Sequence, residues 1–360
     1  MMQTNIDQFC ISGTHSIREA LALLDKNQLG IVLIVSDDKH LSGTVTDGDI
    51  RRAVLASIDL AQPISVLLGR KAAQYVKPIT AREGLAPAVY IEILQKNGIL
   101  HLPIVDEEDR IKGLLRLADL IPDIPLPIQA VVMAGGQGRR LHPLTADTPK
   151  PMLHVGEKPL METMLHQLRQ SGIKHVNIST HFKPEKIQEH FGTGKDFDLE
   201  LSYLIEERPL GTAGAIGLLN KTTDTILVIN GDVFTDLDFR KMLAYHREHK
   251  ADMTIAVRQY DVQVPYGVVE CKDHRVTQLT EKPMFNFFVN AGIYLIEPAF
   301  VVSLGKESKR LEMTDLIQDL LARHKTVVSF PVLEEWIDIG RPEDFLQAQK
   351  MMEQFQKARP

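Results

Sequence analysis

The chain has 360 residues, 44% apolar and 24% charged, with 41 Lys and Arg set against 47 Asp and Glu. That length calls for two or three domains of ordinary globular composition, and the net charge of -6 excludes non-specific nucleic-acid binding. Cys10 and Cys271 stand too far apart for a local metal cluster or a disulfide framework, no apolar run approaches the roughly 20 residues of a membrane span, and the start lacks a basic-then-apolar signal, so a reducing cytoplasm is expected.

The first third is an internal repeat. Shifted by 70 positions, Leu24, Lys26 and Asn27 fall on Leu94, Lys96 and Asn97. Ile34 and Val35 likewise fall on Ile104 and Val105, Gly43 on Gly113, and Asp49 on Asp119. Each copy reads as an amphipathic helix (16–27; 86–97), a strand, a charged turn and a second strand. Neither copy can bury its apolar face alone, so the two should pack on each other.

This α+β repeat resembles a tandem pair of CBS domains. The resemblance implies a site for an adenosine nucleotide on a Gly-x-x-Thr/Ser-x-x-Asp segment, with Thr near phosphate and Asp on ribose. Gly43, Thr46 and Asp49 keep that pattern; in the second copy Arg116 replaces the Thr while Gly113 and Asp119 remain. The module is then either a regulatory nucleotide sensor using Thr46, Asp49, Arg116 and Asp119, or a dimerisation and packing element. Residues 1–121 are assigned to it. A linker with three prolines, 122–128, follows; proline favours extended, donor-poor backbone.

Residues 129–360 form the second domain. A short apolar run, 130–134, breaks into a loop with Gly135, Gly136 and Gly138, followed by Arg139, Arg140 and Lys150. Such a run suits a strand buried on both faces of a parallel sheet. Glycines admit close approach, and loop N–H groups can point at phosphate oxygens. A dinucleotide fingerprint would need glycine where Leu141 stands, and a Walker loop would need Lys-Ser/Thr where Lys150 lies between prolines.

Gly-Gly-x-Gly-x-Arg-Leu-x-Pro-Leu-Thr followed by Pro-Lys-Pro resembles the signature of nucleotide sugar pyrophosphorylases, the sugar-1-phosphate nucleotidyltransferases. Helix and strand then alternate, the pattern of a doubly wound, mostly parallel, Rossmann-like α/β sheet. A helix opens at Pro159 and stops near Gly172; His175–Thr180 is a strand, Pro184–Phe191 a helix, and 199–205 a strand. Leu210, Gly211 and Thr212 begin a helix of small residues that resembles the base-reading segment of the same enzymes. The nucleotide is thus expected on Ala134, Gly135, Gly136, Gly138, Leu210, Gly211 and Thr212.

Thr225–Asn230 is a strand ending in Gly231 and Asp232, a position that projects into the crevice where open α/β sheets bind ligands. Asp238 caps the next helix, and 252–260 is a strand. A hairpin beginning at Pro265 turns near Lys272 and Asp273 and ends at Glu281-Lys282-Pro283, with residues 289–294 expected across from it. Thr314 is expected to cap a helix over 315–324, and 326–332 is a further strand. By resemblance Gly267, Glu281, Lys282 and Asn290 hold the sugar phosphate, Asp232 and Asp338 hold Mg2+, and Arg140, Lys150 and Lys282 are catalytic. Magnesium suits two carboxylates completed by substrate phosphates.

The paired CBS module with Pro-Leu-Gly-Thr-Ala-Gly and Tyr-Gly-Val-Val-Glu looks most like bacterial sugar-phosphate guanylyltransferases of surface-glycan pathways. These supply GDP-mannose-like, GDP-heptose or GDP-glucosamine (legionaminic acid) precursors. The implied reaction joins GTP and a sugar 1-phosphate into a GDP-sugar and pyrophosphate, in a homo-oligomer, dimer or tetramer. The alternatives are a uridylyl-, thymidylyl- or cytidylyltransferase, or a catalytically silent nucleotide-sensing subunit. No hexapeptide repeats follow, so no acetyltransferase activity is expected.

Overall fold

The computed structural model describes residues 2–71, 77–121, 125–303 and 310–358, and of the Pro-rich linker residues 122–124 lie outside these. The chain divides into two compact units, Met1–Ile124 and Pro125–Pro360.

In the first unit each repeat forms a three-stranded sheet. Cys10–Ser12 runs parallel to Ile31–Val35, which pairs antiparallel with Leu41–Thr46. The second copy uses Ala81–Arg82, His101–Val105 and Ile111–Arg116 in the same way. Even the register irregularity recurs, between Ile34 and Val35 and between Ile104 and Val105. The two charged turns meet: the Leu41 N–H donates to the Asp109 carbonyl and the Ile111 N–H to the Lys39 carbonyl. Phe9, Ile31 and Leu33 share one core with Val105, Ile111 and Leu114, because each sheet leaves one apolar face that only its twin can cover.

The second unit is built on a seven-stranded sheet. Its strands are β1 (Ile128–Met133), β2 (His175–Thr180), β3 (Glu200–Ile205), β4 (Thr225–Asn230), β5 (Met253–Gln263), β6 (Met284–Ile296) and β7 (Val327–Pro331), in the order β3-β2-β1-β4-β6-β5-β7. All run one way except β6, which is antiparallel to both its neighbours. The apolar runs follow from burial on both faces. Ala130 and Val132 of β1, and Leu227 and Ile229 of β4, enter the core beneath the helices Leu160–Gln170, Pro184–Phe191 and Phe239–Glu248. Val131, Ile226 and Val228 enter the opposite core, with Ala213 and Ile216 and the helix Met313–Ala322. Burying each such aliphatic side chain is worth about 1.5–3 kcal/mol. Among the described residues no helix is long and apolar enough to cross a membrane.

Three local expectations need correction. The helix Met313–Ala322 is capped by Glu312, whose N–H is taken by Asp315, while Thr314 already lies in the first turn. The strand expected over 252–260 runs on to Gln263. Residues 289–294 pair with β5, not with the hairpin: Asn290 lies opposite Val257 and Val289 opposite Arg258. The hairpin Val268–Lys272/Arg275–Thr280 pairs with itself at the tip of the long β5–β6 ribbon. Spacing alone shows two apolar runs but not which run is the partner.

Candidate nucleotide and phosphate site

Because β1, β2, β3 and β4 are parallel, their C-terminal ends lie on one edge of the sheet. The ladders continue one residue past the strands: the Ala134 N–H donates to the Ser179 carbonyl, Gly231 to Met133 and Glu206 to Thr180. The glycine loop, Asp232 and Glu206 therefore leave the sheet side by side.

Glu206 is buried and latches this edge. One carboxylate oxygen accepts from the Ser179 hydroxyl, the other from the Leu210 N–H at 2.8 Å. A Cβ on Gly135 would lie 2.8 Å from Glu206 Oε1, so the loop passes against this carboxylate only because residue 135 has no side chain. Further along, the Thr145 hydroxyl donates to the Gly138 carbonyl at 2.7 Å.

Leu210, Gly211 and Thr212 are held from the other side of the chain. The Leu311 N–H donates to the Leu210 carbonyl, while the Thr212 N–H and hydroxyl donate to Glu312 at 3.2 and 3.3 Å. Those two Thr212 groups and the Leu210 N–H are thus engaged inside the chain. Gly211 adopts φ +79°, and a Cβ there would lie 2.6 Å from the Leu311 carbonyl oxygen.

The charged centre is set by a two-stranded ladder, Val233–Thr235 with Trp336–Asp338, in which Val233 lies opposite Asp338. The Ile339 N–H donates to the Asp232 carbonyl, so the two aspartates flank one short ladder. Buried Lys150 donates from Nζ to Asp232 Oδ2. Asp338 is exposed as a residue, yet partial desolvation of its carboxyl, and then the Asp232 charge, push it above the usual carboxylate range, with Lys150 and Arg140 pulling the other way and Asp344 adding to the rise. Arg140 extends alongside Gly340 and makes no hydrogen bond or ion pair among the described residues. Two carboxylates in mutual repulsion are a hard-oxygen donor set that a divalent cation would relieve. Among the described residues no three His, Cys, Asp or Glu cluster as a metal group, so a cation here would need ligands from its substrates.

Asp338 also lines a cleft of about 230 Å³ with Asn230, Val233, Asn290, Ala291, Gly292 and Tyr294. The Asn290 side-chain carbonyl accepts from the Gly292 N–H at 2.9 Å. Arg140, Lys150, Asp232, Asp338 and Asn290 are therefore brought to one region. Gly267 and Glu281 meet each other, a Gly267 Cβ lying 3.0 Å from Glu281 Oε2, and Lys282 follows with φ 45°. All three are exposed, and among the described residues no hydrogen bond or ion pair carries Lys282 to either aspartate. The sequence reading assigned no role to Glu206, Ser179, Asn230 or Glu312. Only the Glu206-Glu207 pair ahead of Pro209 hinted at the first.

In the first unit, Asp49 is buried and already paired. Its carboxylate accepts from Lys71 at 2.6 Å, Arg52 at 2.7 Å and the Thr46 N–H at 2.8 Å. Burial works against that charge, but the Lys71 ammonium foremost, with these hydrogen bonds, holds the carboxyl below its usual range. In the second copy Arg116 grips Asp119 with two bonds, 2.8 and 2.6 Å.

Residues 129–354 match the family described as nucleotidyl transferase, and residues 1–56 and 79–125 match the CBS domain. D-glycero-alpha-D-manno-heptose 1-phosphate guanylyltransferase of Aneurinibacillus thermoaerophilus is 34% identical over 232 residues, 63% of this chain and the whole of that protein. Mannose-1-phosphate guanylyltransferase of Mycobacterium tuberculosis is 33% identical over 226 residues, 61% of this chain but only 63% of that protein. A solved Bacillus anthracis structure, assigned as a glucose-1-phosphate thymidylyltransferase, superposes with a TM-score of 0.51 at 24% identity, over 62% of this chain and 94% of that one, a likeness of fold.

Proposed function

The chain belongs to the nucleotidyl transferase family, and from that premise we propose that it transfers GMP from GTP to a sugar 1-phosphate, releasing pyrophosphate. The observation that carries this reading is the convergence of Lys150, Asp232, Asp338 and Arg140 at the C-terminal edge of the sheet. Guanylyl transfer is also the reaction in the names of the heptose and mannose relatives.

A sugar-phosphate oxygen attacks the α-phosphorus; the new P–O bond forms as the bond to the β-phosphate oxygen breaks, and pyrophosphate leaves with the electron pair. The nucleophile is already ionised, so no general base is needed. What the chain must do is assemble anions and stabilise added charge at phosphorus. The glycine loop 135–138 cradles the triphosphate, and Arg140 grips its far end, where a planar fork suits phosphate oxygens. Lys150, released from Asp232, turns to the α-phosphoryl group, and Lys282 meets the incoming sugar phosphate beside Gly267, Glu281 and Asn290. Asp232 and Asp338 would hold Mg2+, which supplies charge neutralisation between the two reactants.

Guanine is favoured over uracil or thymine by Glu206. Guanine presents two adjacent N–H donors, and each oxygen of a carboxylate keeps a second lone pair after its internal bond. Uracil and thymine offer one donor between two acceptors. The first unit is read as a nucleotide-responsive module, in which a ligand would have to displace Lys71 from Asp49 and Asp119 from Arg116. The setting proposed is the cytoplasm, where GTP is abundant.

The test crosses GTP, UTP, dTTP, CTP and ATP with mannose, glucose, glucosamine, N-acetylglucosamine and heptose 1-phosphates and measures pyrophosphate. GTP should lead by roughly tenfold to a hundredfold, the effect of one unpaired buried polar edge. A pyrimidine preference would overturn the guanylyl reading, and no product from any pair would overturn transfer itself.

A further inference from the structure

The turn between β2 and the helix Pro184–Phe191 belongs to no motif in the sequence, yet it reaches both walls of the nucleotide site. On one side the Lys183 ammonium donates to the Ala146 carbonyl at 3.1 Å and to Asp147 Oδ1 at 2.8 Å, and it lies 5.3 Å from the centre of the Phe182 ring. Lys186, in the first turn of the helix, donates to the Asp147 carbonyl at 2.6 Å. The Lys183 hydrogen bond foremost, and then its charge, hold the Asp147 carboxyl below its usual range. The neighbouring Thr145 is fully buried and donates to the Gly138 carbonyl. A Cβ on Gly138 would lie 2.9 Å from the Thr145 side chain and 3.3 Å from Lys150 Cβ, so the three residues are packed as one. On the other side His181 Nδ1 meets the Glu206 carbonyl at 2.8 Å; a carbonyl only accepts, so Nδ1 donates. The His181 Cβ also lies 3.5 Å from where a Gly135 Cβ would stand. Lys183 itself has left-handed backbone, φ 48° and ψ 54°. That conformation is uncommon for a residue with a side chain and persists where surrounding contacts over-determine it.

We propose that the turn 181–186 is a brace that positions the nucleotide site from outside it, Lys183 and Lys186 acting through Thr145 on the glycine loop and His181 acting through Glu206. None of the three is a ligand of the nucleotide. The bland reading of Lys183 is a surface ion pair, which contributes little to stability. Asp147 is 90% exposed, so the pair would be only that if its partner led nowhere. It leads to the loop. Two lysines one helical turn apart converge on two consecutive residues, 36 to 39 positions away, that adjoin Thr145. A displacement of about 1 Å in a reacting geometry can cost about a hundredfold in rate, so contacts worth little in stability are worth much in placement. The inference rests on the proposed transfer for what the site binds, and on the contacts alone for what holds it.

The test uses the full chain and two readouts. Hydrogen exchange reads the brace without substrate. The Leu144 and Ala146 amides, each bonded inside the loop, should exchange roughly tenfold faster in K183M, and the Leu210 amide, held by Glu206, likewise in H181F. Pyrophosphate release reads its purpose. K183M should raise the KM for GTP by roughly tenfold with a smaller change in kcat, and D147A should raise it in the same direction. The double variant K183M/D147A should be no worse than K183M, because both changes remove one contact. K183R, whose guanidinium can reach the same oxygens, should restore most of the native KM. Unchanged exchange in either K183M or H181F overturns the brace. A KM raised by K183M but not by D147A, or fully additive losses in the double variant, would make Lys183 a phosphate ligand and overturn its positioning role. A native chain that releases no pyrophosphate overturns the transfer reading instead, and the exchange rates then decide the brace alone.

Discussion

Lys150 and Asp232, 82 residues apart in sequence, are joined by an ion pair in which the ammonium caps a carboxylate whose charge acts on Asp338. The lysine neutralises half of an acidic pair that would otherwise repel itself. In the proposed reaction an α-phosphoryl group brought to Lys150 would free Asp232, which would link substrate entry to carboxylate availability. Lys150→Met should lower turnover about a hundredfold to a thousandfold, as loss of one preorganised charge does, with the larger part in kcat. Pyrophosphate release under saturating nucleotide measures it.

Asp232→Asn and Asp338→Asn should each lose turnover to a similar degree, since a neutral amide is a poor ligand for a hard cation. Their stabilities should differ. Asp338→Asn removes a charge that the Asp232 carboxylate repels, so in chelator-treated buffer at pH 7 it should melt no lower than the native chain. Asp232→Asn strips buried Lys150 of its partner and should melt lower. Differential scanning calorimetry separates the two; an Asp338→Asn protein clearly less stable than native would contradict the repulsion.

Gly211→Ala forces a side chain into a left-handed backbone and against the Leu311 carbonyl. The expected cost is about 1–3 kcal/mol, read by urea unfolding. The KM for the nucleoside triphosphate should rise with it, because the same segment borders the latch through Leu210.

Glu206→Gln keeps the shape of the latch but places an amide donor among the donors of Ser179 and Leu210. The ratio of kcat/KM for GTP over UTP should fall by roughly tenfold to a hundredfold, the value of one mismatched buried hydrogen bond. An unchanged ratio would remove Glu206 from base selection.

Lys71→Met leaves buried Asp49 with Arg52 and with the hydroxyl and N–H of Thr46. Breaking a buried pair costs about 3–5 kcal/mol, and the remaining arginine argues for the low end. The Asp49 carboxyl is lower in the folded chain than in the unfolded one, so its contribution is present above the ordinary carboxylate range. It is lost as pH falls through the folded value. The native first unit should therefore destabilise on acidification more steeply than the Lys71→Met variant, as thermal melts carried from about pH 5 to below about pH 3 would record.

Local pattern was enough for much of this chain. The strands His175–Thr180 and Thr225–Asn230 and the helix Pro184–Phe191 are legible because a run of apolar residues between turn formers admits few alternatives. The repeat at a shift of 70 likewise declares two interlocking copies, down to the Gly43 and Gly113 positions in register with Ile34 and Ile104. Strand partnership was decided only by the tertiary structure. Residues 289–294 join β5 because the long ribbon satisfies both backbones at once, and no spacing reports that choice. The same holds for Glu206 beneath Gly135, Glu312 beneath Thr212 and Lys71 on Asp49. Each is a charged residue of ordinary appearance whose role arises from a hydrogen bond or close approach to a group distant in sequence. Periodicity encodes which face of an element is apolar, whereas hydrogen bonds between distant polar groups depend on how the elements are stacked.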